Sequence, residues 1–192
     1  MIDLHPQPSA SPEQLNVTTI CPITVRPATA EDLRLLPNWF PTEADLIQWG
    51  GPLLRFPLDQ PQLEVMWAES RLAPPRRLIW SGCLVGGDIA AHAQAALDPA
   101  KGTARLARIG LNPKLRGRGL AYNFLQRIVA LLRRQPSVST LELNVYAFNQ
   151  PAIRLYRRLG FEPQEVKAGP VVADGERWDV IRMTRPIDVE TA

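Results

Sequence analysis

The sequence predicts an α+β domain built on a mixed β-sheet that is flanked by helices. Three consecutive strand-like segments, Arg77–Val85, Ile89–Leu97 and Ala104–Leu111, occupy the middle of the chain and are joined by short turns. Short connections are typical of antiparallel neighbours, so these segments predict a meander. A strand–helix–strand run follows over residues 104–146, and it predicts one parallel pair with a crossover helix.

The elements before the meander are short. Alternating residues at Ile23–Arg26 predict a first strand. Thr29 can cap the first helix, and Pro37 can end it. The expected helices are Ala30–Leu36, Glu43–Trp49 and Pro61–Leu72.

The elements after the meander alternate in type. Apolar residues recur at helical spacing over Leu120–Arg134, whereas Thr140–Tyr146 alternates as a strand does. Asn149 and Gly160 are placed to begin and end a helix over Pro151–Leu159. Residues 177–184 predict a last strand.

A chain of 192 residues fits one domain, for which we expect the boundaries 21–188. Residues 1–20 combine three prolines with polar residues and lack apolar periodicity, which predicts a flexible segment. The longest aliphatic run, Ile128–Leu132, is far below the roughly 20 residues of a membrane span. No secretory signal pattern is present. Two cysteines and two distant histidines favour neither a disulfide framework nor a metal centre, so we expect a cytoplasmic protein without metal or membrane attachment.

The charge is segregated along the chain. The net charge is +3, yet residues 1–72 hold nine acidic and four basic side chains. Residues 101–158 hold twelve basic side chains and one acidic side chain. The basic part suits a polyanionic ligand, and the acidic part would favour a cationic one.

A glycine-rich loop at residues 113–121 lies between a predicted strand and a predicted helix. Gly117 and Gly119 allow the backbone to approach a ligand closely. The free N–H groups of the helix N-terminus bind phosphate well, and Arg116 and Arg118 add positive charge. The same residues could instead belong to a basic nucleic-acid surface spanning residues 101–134.

A second segment, residues 149–161, distinguishes these alternatives. It holds Asn149, Ala152, Tyr156, Gly160 and Phe161, while the first loop holds Arg-x-x-Gly-x-Ala at residues 116–121. The two motifs, in this order and separated by a helix and a strand, resemble the GNAT superfamily of acetyl-CoA-dependent N-acetyltransferases. The resemblance covers residues 23–184 and implies the GNAT fold, whose parallel strands splay apart to admit a thioester.

The resemblance also implies site residues and partners. Backbone groups of the glycine loop would hold the CoA pyrophosphate, and the strand before it would pair with pantetheine. Tyr156 would protonate the CoA sulfur, because a phenol can supply the proton that a leaving thiolate needs. The residues expected at acetyl-CoA are Ile109, Leu111, Arg116, Gly117, Arg118, Gly119, Leu120, Ala121, Asn149 and Ala152.

The acceptor side departs from the family pattern. Several relatives that acetylate proteins carry a Glu where this chain has Asn144, which can orient an amine or a water but cannot act as a base. The sequence does not identify the group that takes the proton from the amine. A water relay is one candidate, and the others are Glu142, His92, Glu43 and Asp45. The expected substrate contacts are Trp39, Glu43 and Trp49, and the acceptor is a primary amine on a small molecule, a protein N-terminus or a lysine.

Two alternatives to an active acetyltransferase stay open from sequence. The first is a nucleic-acid-binding domain using residues 101–134, which we disfavour because aromatic residues are not concentrated there. The second is a CoA-binding regulatory module without activity. A symmetric homodimer is a general expectation for a small enzyme.

Overall fold

The computed structural model describes residues 23–187 of the chain. The segment 1–20, predicted to be flexible, lies outside the described residues. The strands are β1 (Thr24–Pro27), β2 (Arg77–Cys83), β3 (Ile89–Asp98), β4 (Thr103–Leu111), β5 (Thr140–Tyr146), β6 (Glu162–Ala173) and β7 (Glu176–Pro186). The helices are α1 (Ala30–Leu33), α2 (Glu43–Gly50), α3 (Gln60–Ser70), α4 (Leu120–Arg133) and α5 (Gln150–Arg158).

The strands form one mixed sheet in the order β1-β2-β3-β4-β5-β7-β6. Strands β1 to β4 are an antiparallel meander, and β4 pairs with β5 in parallel. Helix α4 connects this parallel pair, as the strand–helix–strand pattern predicts. The predicted α+β class and mixed sheet are therefore confirmed.

Strands β4 and β5 are paired over only part of their length. Their register runs from Thr103 opposite Thr140 to Leu106 opposite Leu143, although both strands continue beyond it. At Arg108 the backbone has a φ of +51°, and the register with β3 shifts between His92 and Gln94. This bulge bends β4, and the unpaired ends leave a gap in the sheet.

Each face of the sheet carries its own layer of helices. On one face, α4 and α5 pack against a core that includes Ala91, Ala93 and Ala95 of β3. On the other face, α1 to α3 form a second core, and the alternate residues His92 and Gln94 point towards it. The α4 residues buried at helical spacing are Leu120, Phe124, Leu125, Ile128, Val129 and Leu132.

Several predicted boundaries differ from the observed ones. Thr29 caps α1 as expected, but α1 ends at Leu33, and Pro37 lies in a 3-10 helix at Leu36–Trp39 instead of ending a longer helix. Strand β6 is absent from the sequence prediction. It lies at the edge of the sheet, is mostly exposed and breaks register twice against β7, so it lacks the alternation that reveals a strand.

Candidate active site

A cleft of about 780 Å³ opens where β4 and β5 separate. Residues of α2, β4, β5, α5 and the glycine loop line it, so both helical layers meet at the gap in the sheet. Most predicted site residues lie on its wall: Trp49, Ile109, Leu111, Arg116, Gly117, Gly119, Leu120, Ala121, Asn144, Asn149, Ala152 and Tyr156.

Two predicted acceptor residues and one predicted loop arginine do not line this cleft within the described chain. Trp39 is 4% exposed and belongs to the core of α1 to α3. Glu43 is exposed in the first turn of α2, and Arg118 is exposed in the glycine loop. Asp45, two residues further along α2, is the one acidic side chain among the described residues of the wall.

The glycine loop brings the N-terminus of α4 to the cleft. Gly117 and Gly119 have φ values of +78° and +72°, a conformation that favours glycine. No side chain caps the helix at Gly119, so the N–H groups of its first turn keep their hydrogen-bonding capacity. This geometry suits an anionic group of phosphate size.

Arginines add charge around this end of the cleft. Arg116, Arg154 and Arg158 line it, and the Arg158 guanidinium lies 4.0 Å from the centre of the Tyr122 ring. Tyr122 and Arg158 also line a second cavity of about 420 Å³ that Arg133 and Arg185 reach. The basic surface therefore continues from the cleft along α4.

The edge of β4 that faces β5 is unpaired beyond Leu106. Ile109 and Leu111 lie on this stretch, while the opposite edge stays bound to β3 through pairs such as Leu111 with Ala91. An unpaired edge offers N–H and C=O groups to an extended ligand.

Tyr156 closes the cleft on the α5 side. Its side chain is buried, its ring packs edge-on against Phe161 at 6.2 Å, and burial raises the pKa of its hydroxyl to about 12. The hydroxyl therefore stays protonated at neutral pH. At the start of the same helix, the Asn149 side chain accepts a hydrogen bond from the Ala152 amide at 3.2 Å, which confirms its expected capping position.

The structure separates the candidates for a base. Asn144 is exposed on the wall. Glu142 forms an ion pair with Arg105, with 2.7 Å between Oε1 and Nη2, and it does not line the cleft. Burial, followed by the positive charge of Arg108, lowers the pKa of His92 to about 3, so His92 is a weak base. Asp45 is the carboxylate left at the site.

Residues 43–161 match the family described as acetyltransferase (GNAT) family. The match spans more than half of the chain. This chain belongs to the GNAT acetyltransferase family, and it is an acyltransferase.

Three proteins illustrate what this acetyltransferase resembles. The L-amino acid N-acetyltransferase of Escherichia coli (strain K12) is 25% identical over 122 residues, covering 62% of this chain and 75% of that protein. The spermidine N-acetyltransferase from Vibrio cholerae, in complex with CoA and spermine, has a TM-score of 0.73 at 17% identity, covering 85% of this chain and 95% of that one. The ribosomal-protein-S18-alanine N-acetyltransferase from Escherichia coli has a TM-score of 0.66 at 25% identity, covering 88% and 96%.

The half of the cleft beside α2 holds residues that the predicted site did not include. Phe40 stacks on Trp49 with ring centres 4.5 Å apart, and both rest against Gly110, where a Cβ would lie 3.2 Å from the indole. Arg108 also lines this half. Its sequence signal, one arginine in a strand beside other arginines, does not distinguish it from a solvent-exposed residue.

Neither a membrane-spanning helix nor a cluster of metal ligands is present in residues 23–187. No helix there is long and apolar enough to cross a membrane. No cluster of three or more histidine, cysteine or acidic side chains in that range could hold a metal ion.

Proposed function

We propose that this acetyltransferase moves an acetyl group from acetyl-CoA to the nitrogen of a primary amine by direct attack in a ternary complex. One observation carries the proposal. The α4 N-terminus, the unpaired edge of β4 and Tyr156 all line one cleft at the gap in the sheet. Acetyl-CoA is a fitting co-substrate because the V. cholerae neighbour is a complex with CoA.

Acetyl-CoA would lie along this wall from its phosphates to its thioester. The amides of the glycine loop, Gly117 to Ala121, would bind the pyrophosphate, and Arg116 would add charge. Ile109 and Leu111 would pair with the pantetheine arm through their backbone groups. The thioester would then enter the gap between β4 and β5.

The chemistry needs an oxyanion site, an acid and a route for one proton. The amine nitrogen attacks the thioester carbon, and a backbone N–H of β4 would stabilise the resulting oxyanion. The C–S bond then breaks, and Tyr156 donates its proton to the leaving thiolate. The amine proton would leave through water held by Asn144 and Asp45, and solvent would reprotonate Tyr156.

The acceptor is a primary amine whose class the relatives do not decide. Their names specify L-amino acids, spermidine and a ribosomal protein alanine, respectively. A small molecule, a protein N-terminus and a lysine side chain are therefore all within the proposed function.

The nucleic-acid alternative gains no observation of its own. In the basic segment, Lys101 pairs with Asp98 at 3.1 Å and Arg105 pairs with Glu142 at 2.7 Å, while Arg116 lines the cleft. These contacts use the charge inside the domain or at the CoA site.

Calorimetric titration with acetyl-CoA, followed by measurement of free thiol with a panel of amines, tests the proposal. We expect binding, and thiol release that depends on an amine. Binding without thiol release from any amine would favour the inactive CoA-binding module. Absence of binding would refute the proposed function.

A further inference from the structure

Arg108 lines the cleft on the strand that faces α2, and it carries a positive charge. It lies at the bulge of β4 with a φ of +51°, a value that residues other than glycine seldom adopt. Arg108 is among the residues that line the cleft, and its side chain reaches the face of the sheet that α3 covers, where it contacts Gln94. A backbone held in a sparsely populated conformation is typical of functional positions.

The charge of Arg108 is compensated only in part, because the Glu69 carboxylate attracts it but forms its ion pair with Arg77. Its Nη1 donates to Gln94 Oε1 at 2.9 Å, and Arg77 Nη1 donates to the same oxygen at 3.2 Å. The nearby Glu69 carboxylate is engaged by Arg77 Nε at 2.6 Å. No carboxylate of residues 23–187 forms an ion pair with Arg108, so this group of four side chains carries one positive charge in excess.

The charge persists at neutral pH. Burial, followed by repulsion from Arg77, lowers the pKa of Arg108 to about 10, which still leaves it protonated near pH 7. A partly buried cation without a partner is unfavourable, and a ligand anion would relieve that cost. A guanidinium is suited to a carboxylate because two parallel N–H groups match its two oxygens.

Two neighbours extend this pattern. Trp49 is 8% exposed and lines the cleft, and its Nε1 has no acceptor among the described residues. Asp45 lines the same cleft with the opposite charge. The acceptor half thus combines one unpartnered donor and the charge of Arg108 with one carboxylate, which matches a molecule that carries both an anion and an amine.

We propose that the acceptor of this enzyme carries a carboxylate close to its amine, and that Arg108 binds this carboxylate. The class is that of α-amino acids and similar small amino carboxylates. The inference rests on the proposed function and narrows it, because polyamines and lysine side chains within a protein lack the anion.

Matched acceptors test the inference without any variant. With acetyl-CoA fixed, kcat/KM is measured for several L-amino acids, for the corresponding L-amino acid amides, and for spermidine. An α-amino group beside an amide has a pKa near 8, and a neighbouring carboxylate raises it, so intrinsic reactivity favours the amides. We expect the amino acids to be preferred by about 10–100-fold, the range set by a charge-assisted hydrogen bond.

Variants then assign the preference to Arg108. Arg108→Gln should reduce the acid-to-amide ratio towards one, mainly through KM, whereas Arg108→Lys should restore part of it. The dissociation constant of acetyl-CoA should stay within twofold in both. Arg127→Gln, at an exposed position of α4, is the matched control and should leave the ratio unchanged.

The outcomes separate the two proposals. Amides or spermidine acetylated as well as the amino acids would overturn the carboxylate inference and leave the N-acetyltransferase intact. A folded Arg108→Gln enzyme with an unchanged ratio would also overturn it. If no amine of any class gained an acetyl group while acetyl-CoA bound, the proposed function itself would fail.

Discussion

Replacing Tyr156 by phenylalanine tests the proposed chemistry most directly, because the structure predicts a large kinetic effect and a small structural one. The hydroxyl forms no hydrogen bond with residues 23–187, so its removal leaves no described group without a partner. The variant keeps the ring and its edge-on contact with Phe161. The free energy of unfolding should therefore change by less than about 0.5 kcal/mol.

Turnover should fall far more than stability. Loss of a positioned general acid lowers the rate by roughly 10²–10⁴-fold, which corresponds to about 3–5 kcal/mol of barrier. The thiolate would then leave without a proton from the protein. The dissociation constant of acetyl-CoA should stay within twofold, since the phosphates are proposed to bind the glycine loop at the other end of the cleft.

The assay is thiol release at saturating acetyl-CoA and amine, with calorimetric titration and thermal unfolding in parallel. Tyr122→Phe is the matched control, because it removes the same hydroxyl from a ring that lines the cleft beneath Arg158, at the end that holds the arginines. The raised pKa of Tyr156 also means that wild-type activity should show no loss from this group up to pH 10. A Tyr156→Phe enzyme with turnover within threefold of wild type would refute the role of the hydroxyl.

Three further substitutions probe other parts of the molecule. Asp45→Asn should lower kcat/KM for the amine about tenfold and leave acetyl-CoA affinity unchanged. The control Asp88→Asn, at an exposed position of the β2–β3 turn, should have no effect. Equal kinetics for the two variants would remove Asp45 from the site. Gly119→Ala should weaken acetyl-CoA binding about 5–20-fold by titration. A Cβ at this position would meet no atom within 4 Å, so the cause is the φ of +72°, which strains any residue other than glycine. The control Gly87→Ala, with a φ of +94° and equally open space, should lose similar stability but keep its affinity for acetyl-CoA. Equal losses of acetyl-CoA affinity in both variants would contradict the proposal that the glycine loop binds CoA. Asp32→Asn should lower the free energy of unfolding in urea by about 1–3 kcal/mol at pH 7. Burial raises the pKa of Asp32, but hydrogen bonds from Arg26, the Thr29 amide and Ser81 outweigh it and lower the net value. This contribution is present above the unfolded pKa of about 4 and is lost as pH falls below it, so a deficit that stayed constant down to pH 3 would argue against the network.

The elements that were predicted correctly are those with local causes. Helix α4 shows its buried residues at helical spacing, and β5 alternates over Thr140–Tyr146 as observed. Thr29 and Asn149 cap helices because their short side chains reach backbone amides three residues ahead. Such signals need only a few neighbouring residues, so they can be read before the fold is known.

The candidate site was predicted in part for the same reason. The glycine loop and the segment around Tyr156 lie in continuous motifs, and the structure brings both to one cleft. The choice between Trp39 and Trp49 had no such local basis. Both are buried aromatic residues in the early helices, yet only Trp49 lines the cleft.

The sequence by itself determined the α+β class, the family and the loop with the properties of a phosphate site, because these follow from periodicity and from residues close together in the chain. Tertiary structure decided which residues line the proposed acceptor half of the cleft. Asp45, Arg108 and Asn144 lie on three separate elements, and only the gap between β4 and β5 brings them to one wall. The excess positive charge around Arg108 likewise depends on the contacts of Arg77 with Glu69 and Gln94. These residues lie far apart in the sequence, which does not specify the distances between them.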